Sequence, residues 1–100
     1  MAKLCHDRLV VLGSQAQVQR FQASNWNQAL RAWHGELLEN SPRRFACQFD
    51  TEGSPLEPLR RLSRRWPQLV LLLDYEMEPK RIKGLAKARA GQLEHWETND

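Results

Sequence analysis

Phe45–Glu78 reads FACQFDTEGSPLEPLRRLSRRWPQLVLLLDYEME, and its changes of rhythm decide the fold. Phe45, Cys47 and Phe49 alternate with Ala46 and Gln48, the two-residue period of a half-buried strand. Gly53 permits a turn. Ser54-Pro55-Leu56-Glu57 then sets an N-cap serine before proline at the first helical position and glutamate at the third, a strong helix start. Leu56, Leu59, Leu62, Ser63 and Trp66 face one way along that helix, while Arg60, Arg61, Arg64 and Arg65 lie off the stripe. Pro67 stops it, because the residue before a proline is pushed out of the helical region. Leu69 to Tyr75 follows as a strand with Leu69, Leu71, Leu73 and Tyr75 on one face. The whole reads as a β-α-β unit with a right-handed crossover.

Toward the N-terminus, Leu9–Leu12 is an apolar strand stopped by Gly13, suited to the middle of a sheet. Ser14 and Gln17 form a capping-box pair, and Val18 and Phe21 supply the stripe of the next helix. From Asn25, the residues Trp26, Leu30, Trp33 and Leu37 recur at helical spacing, which predicts a second helix ending at Asn40-Ser41-Pro42. Gly35 weakens it by about 1 kcal/mol relative to alanine. The tail, Lys80 to Trp96, is two-sided. Its Lys, Ala, Leu and Arg content favours a helix. Gly84, Gly91 and the alternation of Leu85, Lys87 and Arg89 with small residues favour a hairpin turning at Ala90-Gly91-Gln92. The residues alone leave both open.

One hundred residues without a repeat or linker make a single domain, 1–100. The chain is 41% hydrophobic and 27% charged, which excludes the disordered class. A net charge of +3 argues against an acidic mimic of nucleic acid and permits nucleic-acid binding without demanding it. The longest apolar run, Leu69–Leu73, is far short of a membrane span, and MAKLCHDRL has no apolar leader region. Two cysteines with no CxxC pattern fit a cytoplasmic protein with reduced thiols.

No reactive constellation emerges. Cys5-His6 is the only adjacent Cys/His pair, and neither a zinc set nor a nucleophile with its base can be spaced from the sequence, so both cysteines read as structural. Asp74, Glu76 and Glu78 form a row on one strand face that reads as solvated. Arg60, Arg61, Arg64 and Arg65 are the candidate phosphate-contacting face, with Lys80, Arg81, Lys83, Lys87 and Arg89 as a second basic strip. A solvated helix face is the simpler reading of the arginines. Trp66 reads as core. Trp26 and Trp33 read as core or as a partner-binding stripe.

Two blocks carry a resemblance. LCHDRLVVLGSQAQVQRF, Leu4 to Phe21, resembles the pattern (Trp/Leu)-Cys-x-Asn-x-Leu-x-Val-x-Gly-x-x-x-x-Val-x-x-Phe. That pattern opens the Api-type ferredoxin-like domain of small phage- and plasmid-encoded proteins of unknown function. Phe45 to Pro79 is similar to that family's second block: a strand ending Phe-x-Thr, Ser-Pro-Pro, a helix with Leu-x-x-Leu-Ser, an aromatic-Pro pair, a strand and Tyr-Glu. Together they span roughly half the chain. Asp7 stands where asparagine is usual, and Glu52-Gly53 replace a common tryptophan. The resemblance implies an α+β, ferredoxin-like sheet of about four to five strands covered by two to three helices, with a C-terminal β-hairpin. It implies no enzymatic activity and no cofactor, and it suggests a protein of a mobile genetic element. From that setting we expect a non-catalytic accessory protein that binds a host or element protein and blunts host defence, including CRISPR effectors. A nucleic-acid-binding module using Arg60–Arg65 is the alternative.

Overall fold

The computed structural model describes residues 4–78 and 81–99; Lys80, counted above in the second basic strip, lies outside them. Six strands and three helices follow one another: β1 (Leu4–Leu12), α1 (Gln15–Gln22), α2 (Trp26–Ala29), β2 (Trp33–Ser41), β3 (Arg44–Glu52), α3 (Leu56–Arg65), β4 (Val70–Glu78), β5 (Ile82–Arg89) and β6 (Gln92–Asn99). All six strands form one open sheet in the order β2-β3-β1-β4-β5-β6, and every neighbouring pair is antiparallel.

This corrects the expected fold class. A ferredoxin-like sheet of four to five strands is replaced by a six-stranded, wholly antiparallel open sheet with three short helices. One local expectation falls with it. The helix predicted through Trp26, Leu30, Trp33 and Leu37 is a single turn, Trp26–Ala29, after which Arg31 (φ 55°) and His34 (φ 56°) take left-handed backbone and the chain enters β2. Helical spacing of four apolar residues lost to the hydrogen bonds that β2 supplies along the outer edge of β3, a long-range gain. The expected β-α-β unit is a split one: β3 and β4 run parallel and are joined through α3, with β1 between them and antiparallel to both.

Other local signals act as their chemistry dictates. Ser14 Oγ accepts the Gln17 amide at 3.3 Å and starts α1. On α3, Leu59 and Leu62 are buried, with Leu56 and Trp66 packed against the core. Ser63, fully buried on the same stripe, donates to Arg60 O at 2.7 Å and accepts the Gly91 amide at 3.0 Å, clipping α3 to the β5–β6 turn. That turn has Ala90 (φ 50°) and Gly91 (φ 84°) both in the left-handed region, the twist that suits a tight hairpin connection.

All three helices lie on one face of the sheet. Beneath them are Cys5, Leu9 and Val11 of β1, Phe45, Cys47 and Phe49 of β3, Leu71, Leu73 and Tyr75 of β4, and Ala86 and Ala88 of β5. Phe21 joins the helices to this layer: it stacks on Trp26 at 5.9 Å and meets Trp66 edge-on at 5.4 Å. Trp26 in turn packs against Phe45 and Phe49. Such aromatic pairs add about 0.5–1.5 kcal/mol each beyond the area they bury. Small residues on β5 let long ones on β4 pass. A methyl group on Gly84 would fall inside the Tyr75 ring, which crosses β5 to reach β6.

Candidate docking face

Strand alternation that buries one set of side chains turns the other set toward the face with no helices. On that face lie His6, Arg8 and Val10 of β1, Arg44, Ala46 and Gln48 of β3, Leu72, Asp74 and Glu76 of β4, Lys83, Leu85 and Lys87 of β5, and Glu94 and Trp96 of β6. Its middle is apolar. Val10, Leu38, Leu72, Leu85 and Trp96 line a hollow of about 520 Å³, and Leu38 (45%), Leu85 (57%) and Trp96 (58%) remain strongly exposed. The register places Leu85 directly across from Trp96, so the two form one ridge. Leu38 arrives from β2 because the β2–β3 register shifts between Leu37 and Glu39.

Charges of both signs ring this centre: Arg8, Arg44 and Lys87 against Glu39 and Asp74. Arg44 Nε and Glu39 Oε1 form an ion pair at 3.0 Å. At one end of the face, Asp50 accepts from two imidazoles, with its oxygens 2.8 Å from His6 Nδ1 and 3.1 Å from His34 Nδ1. The hydrogen bond to Asp50 raises the His6 pKa. Burial alone would raise Asp50, but the two histidines outweigh it and lower it. Among the described residues, no group of three His, Cys, Asp or Glu is placed to hold a metal ion.

The helical face is different. The two helical stretches, residues 13–32 and 53–69, hold six arginines and one glutamate, against nine cations and eleven anions in the rest of the chain. The four arginines singled out from the sequence do not converge. Arg60 donates to both Glu57 carboxylate oxygens, through Nη2 to Oε1 and through Nε, 3.0 Å from Oε2. Arg61 opens toward Arg31 and Trp33, Arg64 lies along the β5–β6 turn, and Arg65 borders Trp26 and Trp66. Trp26 is partly buried and packs against the core, whereas Trp33 is exposed at the start of β2. The two share no stripe.

Two polar clusters escaped sequence reading because their members are far apart along the chain. In the first, Tyr75 Oη lies 2.6 Å from both His95 Nε2 and Glu97 Oε1. Its single proton goes to Glu97, so His95 donates its own Nε2–H. Burial and the Glu97 contact push the phenol above its ordinary range, and it stays neutral. In the second, buried Asp7 takes the Cys5 thiol at 3.3 Å on Oδ1 and lies 2.6 Å from Thr51 Oγ1 on Oδ2, while Thr51 Oγ1 is also 2.8 Å from Gly53 O. A carbonyl only accepts, so one hydroxyl proton satisfies both contacts only when Asp7 is protonated. Burial raises Asp7 to about 6 despite those hydrogen bonds. Burial likewise lifts Cys5 and Cys47 to about 12, so neither thiol is a nucleophile at neutral pH. Strand alternation also turns Cys5 inward and His6 outward, so the one adjacent Cys/His pair cannot cooperate.

Among the described residues, no helix is long and apolar enough to cross a membrane. No protein-family model, curated protein or solved structure matches the chain.

Proposed function

We propose that the protein is a non-catalytic docking module whose contact surface is the uncovered face of its sheet. The supporting observation is the Leu38–Leu85–Trp96 apolar centre, exposed on a sheet whose other face is sealed by helices. An aromatic anchor beside aliphatic neighbours, with a polar rim, is the usual make-up of a protein-binding hot spot. The rim mixes Arg8, Arg44 and Lys87 with Glu39 and Asp74, so its chemistry suits a protein partner with an apolar side chain among charges of both signs. With three cations against two carboxylates, the rim offers a polyanion little net attraction. Buried, high-pKa thiols and internally bonded polar clusters speak for the non-catalytic part. A role in blunting host defence, within this reading, rests on the resemblance of Leu4–Phe21 and Phe45–Pro79 alone.

Binding of nucleic acid to the helical side is the second reading, favoured by the excess of arginine there. Capture of partners from a host lysate separates the two. The wild type retains a stoichiometric protein through nuclease treatment, Leu38→Ser with Leu85→Ser loses it, and Arg61→Glu with Arg64→Glu and Arg65→Glu keeps it. Loss on nuclease treatment and in the arginine variant, with the serine variant unaffected, overturns the docking reading in favour of the second.

A further inference from the structure

The sheet ends on two free edges, and they are built differently. β2 breaks register with β3 twice, between Trp33 and Glu36 and again between Leu37 and Glu39. Irregularities of that kind twist an edge away from an incoming strand. β6 pairs with β5 residue for residue, from Gln92 opposite Arg89 to Asn99 opposite Ile82. Its sequence, QLEHWETN, has neither the lysine nor the proline that commonly guards an edge.

We propose that β6 pairs antiparallel with β6 of a second copy of this chain, about a two-fold axis at Trp96, so that two sheets continue into one. Complementarity of the strand with itself argues for that occupant. A two-fold axis perpendicular to the sheet keeps both helical layers on one side, so only residues of the same face can stand opposite one another. Centred on Trp96, the pairing sets Trp96 beside its twin, Glu94 opposite Thr98, and His95 opposite Glu97 at two symmetric places. Centred on Glu94 or on Glu97, it sets carboxylate against carboxylate, which is destabilising. Centred on His95, it opposes two imidazoles and leaves both Glu97 side chains beside Leu93. The Trp96 register alone of these four matches an acid to a base. His95 and Glu97 spend Nε2 and Oε1 on Tyr75, so a protonated His95 donates its Nδ1–H to Glu97 Oε2 of the second copy.

Sedimentation equilibrium of the full chain tests this, with twice the 11.7 kDa chain mass expected. Trp96→Lys, which sets two ammonium groups face to face, weakens the dimer by roughly tenfold or more and leaves the circular dichroism spectrum unchanged. Residues opposite one another in such a pair lie about 4.5–5.5 Å apart at Cα, within disulfide reach. Trp96→Cys therefore cross-links to itself under mild oxidation, whereas Glu94→Cys and Thr98→Cys cross-link only when mixed. Cys5 and Cys47 are buried and do not compete. A wild-type chain that sediments as a monomer throughout overturns the proposal. So does self-cross-linking of Glu94→Cys as fast as Trp96→Cys, or dissociation of the dimer by Leu38→Ser rather than Trp96→Lys, which would place the contact on the face.

Discussion

The helix-covered and uncovered faces of the sheet come from the same strands, one residue out of step, and the molecule uses them oppositely. Under the helices, Phe21, Trp26, Phe45, Phe49 and Trp66 interlock, and Cys5, Leu9, Leu71 and Leu73 are sealed from water. Across the sheet, charged side chains surround a small apolar ridge at Leu85 and Trp96. Apolar area on the first face stabilises the fold. On the second it remains exposed to solvent, available for binding.

Substitutions on the covered face should therefore act on stability and those on the open face on association. Phe21→Ala removes a ring that touches both Trp26 and Trp66 and should cost about 3–5 kcal/mol, read as a lower midpoint in urea. A loss below about 1 kcal/mol would erase the distinction between the faces.

Asp7→Asn should move stability the other way. Asp7 has its pKa raised from 3.8 to about 6 in the folded chain, so its contribution is greatest below pH 3.8 and is lost as pH rises through 6. The amide can donate to Thr51 without a titrating proton. The variant should be more stable by up to about 3 kcal/mol at pH 7.5 and equal to the wild type at pH 3.5, measured by denaturant unfolding at both pH values. A pH-independent difference would show that the buried carboxyl carries no such linkage.

Gly84→Ala should cost about 1–3 kcal/mol, because the added methyl collides with the Tyr75 ring held by His95 and Glu97. Leu85→Ser, one residue along the same strand but facing outward, should stay within about 0.5 kcal/mol of the wild type while weakening partner capture. The contrast between these adjacent positions is the sharpest test of the two-face description. The smallest effect belongs to His6→Ala. His6 has its pKa raised by Asp50 and is half exposed, so it contributes a few tenths of a kcal/mol below pH 6.5, fading as pH rises through its folded value.

Legibility followed distance along the chain. The alternation in Phe45–Phe49, the Ser14 cap, the α3 stripe and the β4 strand after Pro67 could all be read, because each is set by neighbours within a few residues. The stretch from Trp26 to Leu37 misled, since helical spacing of apolar residues is a local cue, and the free edge of β3 is not visible to it. The arginines of α3 were conspicuous in the sequence, yet Arg60 is tied to Glu57 and its neighbours point apart. That Leu38, Leu85 and Trp96 gather on one face is not legible in the sequence, because they lie on three different strands and a bulge delivers one of them.

Period and punctuation along the chain were sufficient for its first, third and fourth strands and the two longer helices, since backbone preference and amphipathic spacing act over a turn or a few residues. The number of strands, the place of β1 between β3 and β4, the buried Asp7–Thr51 and Tyr75–His95–Glu97 clusters and the uncovered apolar ridge arise when distant segments pair. Hydrogen bonds between strands depend on which edges are left open, and that is a property of the assembled sheet.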